Sequence, residues 1–136
     1  MTWDTSDIVE NDIILQDGVF AYNFTASGTI YKGQAVCICG DNLVMVCNDG
    51  STNAGESDVI GLATYGATDG SQIGIAGPGN ICVCCTSGQV NGGTAVYGTH
   101  DGCLHGTQGN ATKVAGYMVT TSELQSTHYK GIVLLI

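Results

Sequence analysis

Arginine is absent and lysine occurs only as Lys32, Lys113 and Lys130, against twelve Asp and Glu, for a formal net charge of −9 in 136 residues. Phosphate backbones are held by clustered Lys and Arg, so nucleic acid is not expected as a partner, nor is an anionic membrane. Charged residues make up only 11% of the chain, less than half of the roughly one quarter usual for soluble domains. Solubility must then rest on Ser, Thr, Asn and Gln, or on surface buried against other subunits. No apolar run approaches the ~20 residues of a membrane helix. The opening MTWDTSDIVEND is acidic and lacks a basic segment leading into an apolar one, so no secretory signal is expected. Proline occurs once beside 21 Gly, which points to many tight turns, and an apolar fraction of 43% is too high for a disordered chain. The length fits one domain with an ordinary core.

What is present is a series of short apolar runs separated by glycine-bearing turns. The stretch Val59–Tyr97 contains three: Val59–Thr64, Gln72–Ala76 and Ile81–Thr86. Each has the length of a strand and is too short for a helix. Gly77-Pro78-Gly79-Asn80 combines proline's fixed φ with glycine's tolerance of positive φ, a strong turn signal. The three runs therefore predict a compact antiparallel unit around which the rest is organised.

Upstream, Val19–Thr25 is aromatic and β-prone, and Ala35–Cys39 and Leu43–Cys47 flank the hairpin signal Gly40-Asp41-Asn42. Alternation puts Ala35, Cys37 and Cys39 on one face and Val36 and Ile38 on the other, so this strand is expected to be covered on both sides. Downstream, Thr94–Tyr97, Val114–Val119 and Gly131–Ile136 read as strands. The segment Gly98–Asn110 reads as a glycine-rich loop, and the segment 120–129 has room for one short helical turn. The final aliphatic run must be buried in a sheet. The fold class expected is all-β: a small antiparallel β-barrel or sandwich of about nine or ten short strands. Residues 1–17, with five acids, are expected to form an extended N-terminal arm. Its apolar Trp3, Ile8, Val9, Ile13, Ile14 and Leu15 need a surface to lie on, either on their own domain or on a neighbour. Residues 18–136 form the single domain.

Several groups invite a chemical reading. Cys37, Cys39, Cys82, Cys84 and Cys85 form two C-x-C strands, and were these neighbours, four sulfurs would share a face. Zinc, cross-strand disulfides and plain core packing are the competing readings; structural zinc sites favour two to four residues between ligands, so disulfides or core packing are preferred. His100, Cys103 and His105 suggest a Cys–His nucleophile or a metal corner, but nothing nearby in sequence supplies the third group that would orient a catalytic base. Asp49, Asn53, Glu56 and Asp58 supply alternating oxygens in a loop; the EF-hand pattern fails for want of a Glu at the twelfth position and of flanking helices, so a solvated acidic loop is the default. Asn23 and Asn110 begin Asn-x-Thr glycosylation sequons. No catalytic constellation, phosphate loop or cofactor motif stands out, and the expectation is a protein that is not an enzyme.

The segments YKGQAV, VIGLATYGATDGSQIGIAGPGNICVCC, GGTAVYGTHDGCL, KVAGYMVTTSELQ and KGIVLLI together resemble the small β-barrel capsid decoration (cement) proteins of tailed viruses. The shared pattern of Gly and aliphatic spacings falls on Gly33 to Val36, Gly61 to Ala63, Gly77 to Val83, Gly93 to Tyr97, Val114 to Met118 and Ile132 to Leu135, within residues 28 to 136. The cysteines and the loop Asn48–Asp58 depart from that pattern. The resemblance implies a non-enzymatic homotrimer on a virion surface, with its N-terminal arm gripping the major capsid protein. The alternative, from another class, is a self-polymerising subunit of an extracellular β-rich tube or filament, whose partners are identical subunits.

Overall fold

The computed structural model describes residues 14–16, 24–125 and 127–136. Among them the chain is all-β, with thirteen short strands in two sheets. The second sheet is built from contiguous chain: β2 (Phe24–Ala26), β3 (Ala35–Gly40), β4 (Leu43–Val46), β5 (Gly61–Ala63), β6 (Gln72–Ile73) and β7 (Ile75–Ala76). The first sheet holds β8 (Ile81–Thr86), β9 (Ala95–Gly98), β10 (Leu104–His105), β11 (Gly116–Met118), β12 (Glu123–Gln125) and β13 (His128–Leu135), together with β1 (Ile14–Gln16) from far upstream.

Both sheets curl. In the first, β8 pairs with β13, β13 with β11, β11 with β9, β9 with β10, and β10 again with β8, so the pairings run round a ring. The ring's seam is its slightest pairing, a parallel contact with one residue pair in register, Leu104 with Thr86. In the second sheet the run 72–76 is the closing piece. Its first half pairs with β2 and its second half with β5, and Gly74 between them gives its carbonyl to the Thr64 N–H and hydroxyl.

Two apolar clusters fill these shapes. One lies within the second sheet, from Phe24, Ile30, Val36, Val44, Ala63, Ile73 and Ile75. The other joins inward residues of the first sheet, Cys82, Cys84, Val96, Leu104, Met118, Val133 and Leu135, to the opposite face of the second, Ala35, Cys37, Leu62 and Ala76. Strand β3 thus presents Val36 to one core and Ala35 and Cys37 to the other, so the two-sided cover that its composition predicts holds for Ala35–Cys37 only, with Ile38 55% exposed. The hairpin at Gly40-Asp41-Asn42 also forms, with Asn42 at φ 58°, a left-handed position that Asn tolerates.

Four expectations need correction. The run Val59–Tyr97 is not one antiparallel unit, because it straddles the crossing from one sheet to the other. The turn Gly77–Asn80 does form: the Asn80 N–H reaches the Gly77 carbonyl at 3.3 Å, and Gly79 sits at φ 91°, the pattern of a type II turn. It redirects the chain instead of reversing it, because Gly79 N–H and Asn80 C=O are both taken up by Leu135 of β13. Among the described residues of segment 120–129 there is no helical turn; β12 and β13 form a hairpin there, with Leu124 opposite Tyr129. Two pairings, β10 with β8 and β2 with β4, are parallel, and the strands number thirteen because short pieces such as β6, β7 and β10 are separate. Finally, Cys39 is exposed, since only the first half of β3 is covered, and so it belongs to neither core.

Candidate functional site: an apolar outer face and a cysteine-lined seam

Alternation decides what the first sheet shows to solvent. In β13, Gly131, Val133 and Leu135 are buried, so Ile132 and Leu134 point outward; in β11, Tyr117 points outward between buried Gly116 and Met118. The register then lines up one row across four strands: Ala95 of β9, Tyr117 of β11, Leu134 of β13 and Ile81 of β8. Ile132 and Val83 make the adjacent row, with Val119 bonded to the Ile132 carbonyl. No charged side chain stands in either row. Tyr117 is 43% exposed, Val119 52%, Leu134 36% and Ile136 47%. Apolar side chains grouped on one sheet face, rather than scattered singly, mark an interaction surface. Toward β12 the face becomes polar, where Glu123 stands opposite Lys130.

The partner-contact residues predicted in the arm divide. Trp3, Ile8, Val9 and Ile13 lie outside the described residues, as does Asn23. The backbone of Ile14–Gln16 pairs antiparallel with β8, Ile14 opposite Cys82 and Gln16 opposite Ile81; this short strand belongs to the chain's own first sheet.

The cysteines do not form the four-sulfur face considered from the sequence. Strands β3 and β8 belong to different sheets, and among the described residues no group of three or more His, Cys, Asp or Glu is placed to hold a metal ion. All seven cysteines are thiols. Cys37 lies beside Cys47 across the β3–β4 hairpin; the hydrogen bond with Cys47 holds the Cys37 thiol below its usual range, while burial pushes Cys47 well above it. Cys84, fully enclosed, is also driven up by burial, and its Sγ lies 3.9 Å from Met118 Sδ. Such thiols behave as small core hydrophobes. The sulfurs of Cys85 and Cys103 lie 3.3 Å apart, both buried, a pair concealed in the sequence because Cys103 reads as part of a loop.

The remaining candidates disperse. Cys103 faces Cys85, its Sγ 3.3 Å from that of Cys85. His100 is exposed, with Nδ1 3.3 Å from Thr99 Oγ1, and burial, followed by the charge of His100, lowers the basicity of His105. The four oxygens of the acidic loop also point to separate local donors. Asp49 accepts the Ser51 N–H at 3.0 Å, Asn53 that of Gly55 at 3.1 Å, and Glu56 the Asn48 amide at 2.8 Å. Asp58 accepts the N–H groups of Thr112 and Lys113 and the Thr112 hydroxyl. They cap a 3-10 turn at Ala54–Ser57 and tie the loop to residues 110–113 instead of converging. Asn110 is exposed, and its amide donates to the Asp49 carbonyl at 3.0 Å. A shallow groove of about 380 Å³ beside Tyr31, Thr68 and Gln72 contains no titratable pair.

No protein-family model matches this chain, and no curated protein matches it.

Proposed function

We propose that this is a structural, non-enzymatic assembly protein, and that it acts as a capsid decoration protein on a virion surface, bridging major capsid protein subunits as a closed homotrimer. The observation that carries the reading is the uncharged row Ala95–Tyr117–Leu134–Ile81 on the outer face of a rigid ring. A surface this poor in charge favours contact through apolar burial, which is how such a protein would hold neighbouring subunits together. The family resemblance over residues 28 to 136 adds the shell as the partner and the arm as the grip. The filament reading rests on the low charge, the apolar arm and the C-terminal strand; the edge that β12 leaves unpaired among the described residues is three residues long and carries Glu123, features that discourage edge-to-edge growth.

Light scattering on the purified full chain, followed by electron micrographs of the same fractions, tests this directly. A discrete trimer-sized particle is expected, and Leu134→Glu should reduce it to monomers with an unchanged far-UV circular dichroism spectrum. Long threads or tubes would replace decoration by self-polymerisation. A monomer insensitive to Leu134→Glu would overturn the assembly reading altogether. Removing residues 1–13 while sparing β1 should abolish binding to capsid shells, and retained binding would remove the arm from the mechanism.

A further inference from the structure

Cys85 and Cys103 stand at the seam where the first sheet closes on itself. Leu104 pairs with Thr86 in parallel register, so the residues just before them, Cys103 and Cys85, face one another across the same two strands. Cys82 and Cys84 of β8 and Leu104 of β10 point into the core; alternation therefore puts Cys85 and Cys103 together on the other face. Adjacent strands are ~4.8 Å apart, inside the 4.4–6.8 Å Cα separation that a disulfide spans. The two sulfurs, at 3.3 Å, need to close by little more than 1 Å to reach the ~2.05 Å covalent length. We infer that Cys85 and Cys103 are a redox-responsive pair whose disulfide staples β10 to β8 and so locks the seam of the ring.

The chemistry is thiol–disulfide exchange with a small-molecule disulfide as oxidant. The Cys103 thiolate attacks one sulfur of the oxidant, forming a mixed disulfide and releasing one small thiolate. The Cys85 thiolate then attacks Cys103 sulfur, forming the Cys85–Cys103 bond and releasing the second. The two protons given up by the protein thiols are taken by the two released thiolates, so one disulfide is reduced for each one formed. Although both thiols are buried, the route to them is local. β10 is two residues long, and the turn before it, His100–Gly102, holds Asp101 and Gly102 at positive φ. Opening that short hairpin at the seam releases the Gly102 N–H from the Cys47 carbonyl and the Gln34 amide from the Asp101 carbonyl. It exposes Cys103 while β8, β13, β11 and β9 stay paired, because sub-global openings are far cheaper than global unfolding.

The test uses the full chain carrying Cys39→Ser, which removes the exposed thiol. The protein is equilibrated over a series of oxidised and reduced glutathione mixtures, quenched by alkylation, and analysed by intact mass and peptide mapping. Expected is a loss of about 2 Da without a glutathione adduct, mapping to a Cys85–Cys103 link. The midpoint of thermal unfolding should rise by roughly 5–10 °C, and dithiothreitol should reverse both changes. Adding Cys103→Ser should abolish the mass loss and the thermal gain; should that variant fail to fold, the mapped linkage in its parent decides the matter. Retention of all the thiols across the series, a Cys37–Cys47 link in place of this one, or a Cys85–Cys103 link with no thermal gain would each overturn the inference.

Discussion

Replacing Gly116 by alanine tests whether the ring is held by backbone approach as close as the register implies. A Cβ added at Gly116 would sit 2.2 Å from the Leu134 carbonyl oxygen, 3.0 Å from its carbon and 3.1 Å from Val133 Cγ2. The first two are backbone atoms of β13, fixed in the ladder that pairs Gly116 with Leu135 and Met118 with Val133, so no side-chain rotation relieves the clash. Restoring ordinary contact requires β11 and β13 to part by roughly 1 Å, enough to break about two interstrand hydrogen bonds. Each buried group so orphaned costs ~1–3 kcal/mol, which puts Gly116→Ala at about 2–5 kcal/mol. That is a large fraction of the ~5–15 kcal/mol that holds a domain of this kind folded. The matched control is Gly55→Ala, where the new Cβ meets only Asn53 Oδ1 at 3.4 Å and the stability should barely move. Urea and thermal unfolding of the two variants side by side measure the difference, expected as a fall of roughly 10–20 °C for Gly116→Ala alone. A Gly116→Ala protein within about 1 kcal/mol of the parent would mean that the strands are not packed backbone to backbone, and the ring would have to be redrawn.

Ser122→Ala should cost about 1–3 kcal/mol in chemical denaturation. Its hydroxyl accepts the Val90 N–H at 2.8 Å and lies 2.7 Å from Thr86 Oγ1 in a fully buried setting; unchanged stability would show that water takes its place. His105 should titrate below its ordinary 6.5, with burial as the first cause and the charge of His100 as the second. Because the unfolded chain then binds the proton more readily, the native state is penalised as pH falls through 6.5 toward the folded value and is unaffected above 6.5. A His105 resonance titrating above 6.5 by NMR would reverse that sign.

Local features of the fold were legible where a short-range rule governs them. Ile81–Thr86 reads as a strand and is β8 residue for residue, and the Gly40-Asp41-Asn42 signal gives the β3–β4 hairpin because a two-residue turn with Asn at positive φ fixes its own register. What escaped are the long-range choices. Gln72–Ala76 looks like one strand, and only its pairing partners reveal that Gly74 divides it between β2 and β5. Nothing within Gly77–Asn80 announces that Leu135 will claim its N–H and C=O. The apolar outer row was hidden because the Ile81–Cys85 part of β8 and the Ile132–Leu135 part of β13 are apolar on both faces, so alternation alone could not say which face is the outer one; exposure of Tyr117 and Leu134 decides it. The Cys85–Cys103 pair depends on a parallel contact between segments that the sequence does not mark as neighbours.

Strand β13 pairs with β8 along one edge and with β11 and β12 along the other, yet it is synthesised after every other described strand. On the ribosome, residues 24–76 can assemble early, since the second sheet and its cluster are complete within them. The first sheet must wait. Until residues 128–135 are in place, β8 and β11 are left with bare edges rich in apolar residues, the kind that recruit strands from other chains. A chain lacking residues 128–135 would therefore be half-folded and adhesive, and the pairing of this eight-residue strand with β8, β11 and β12 is the step that commits the first sheet to its own fold.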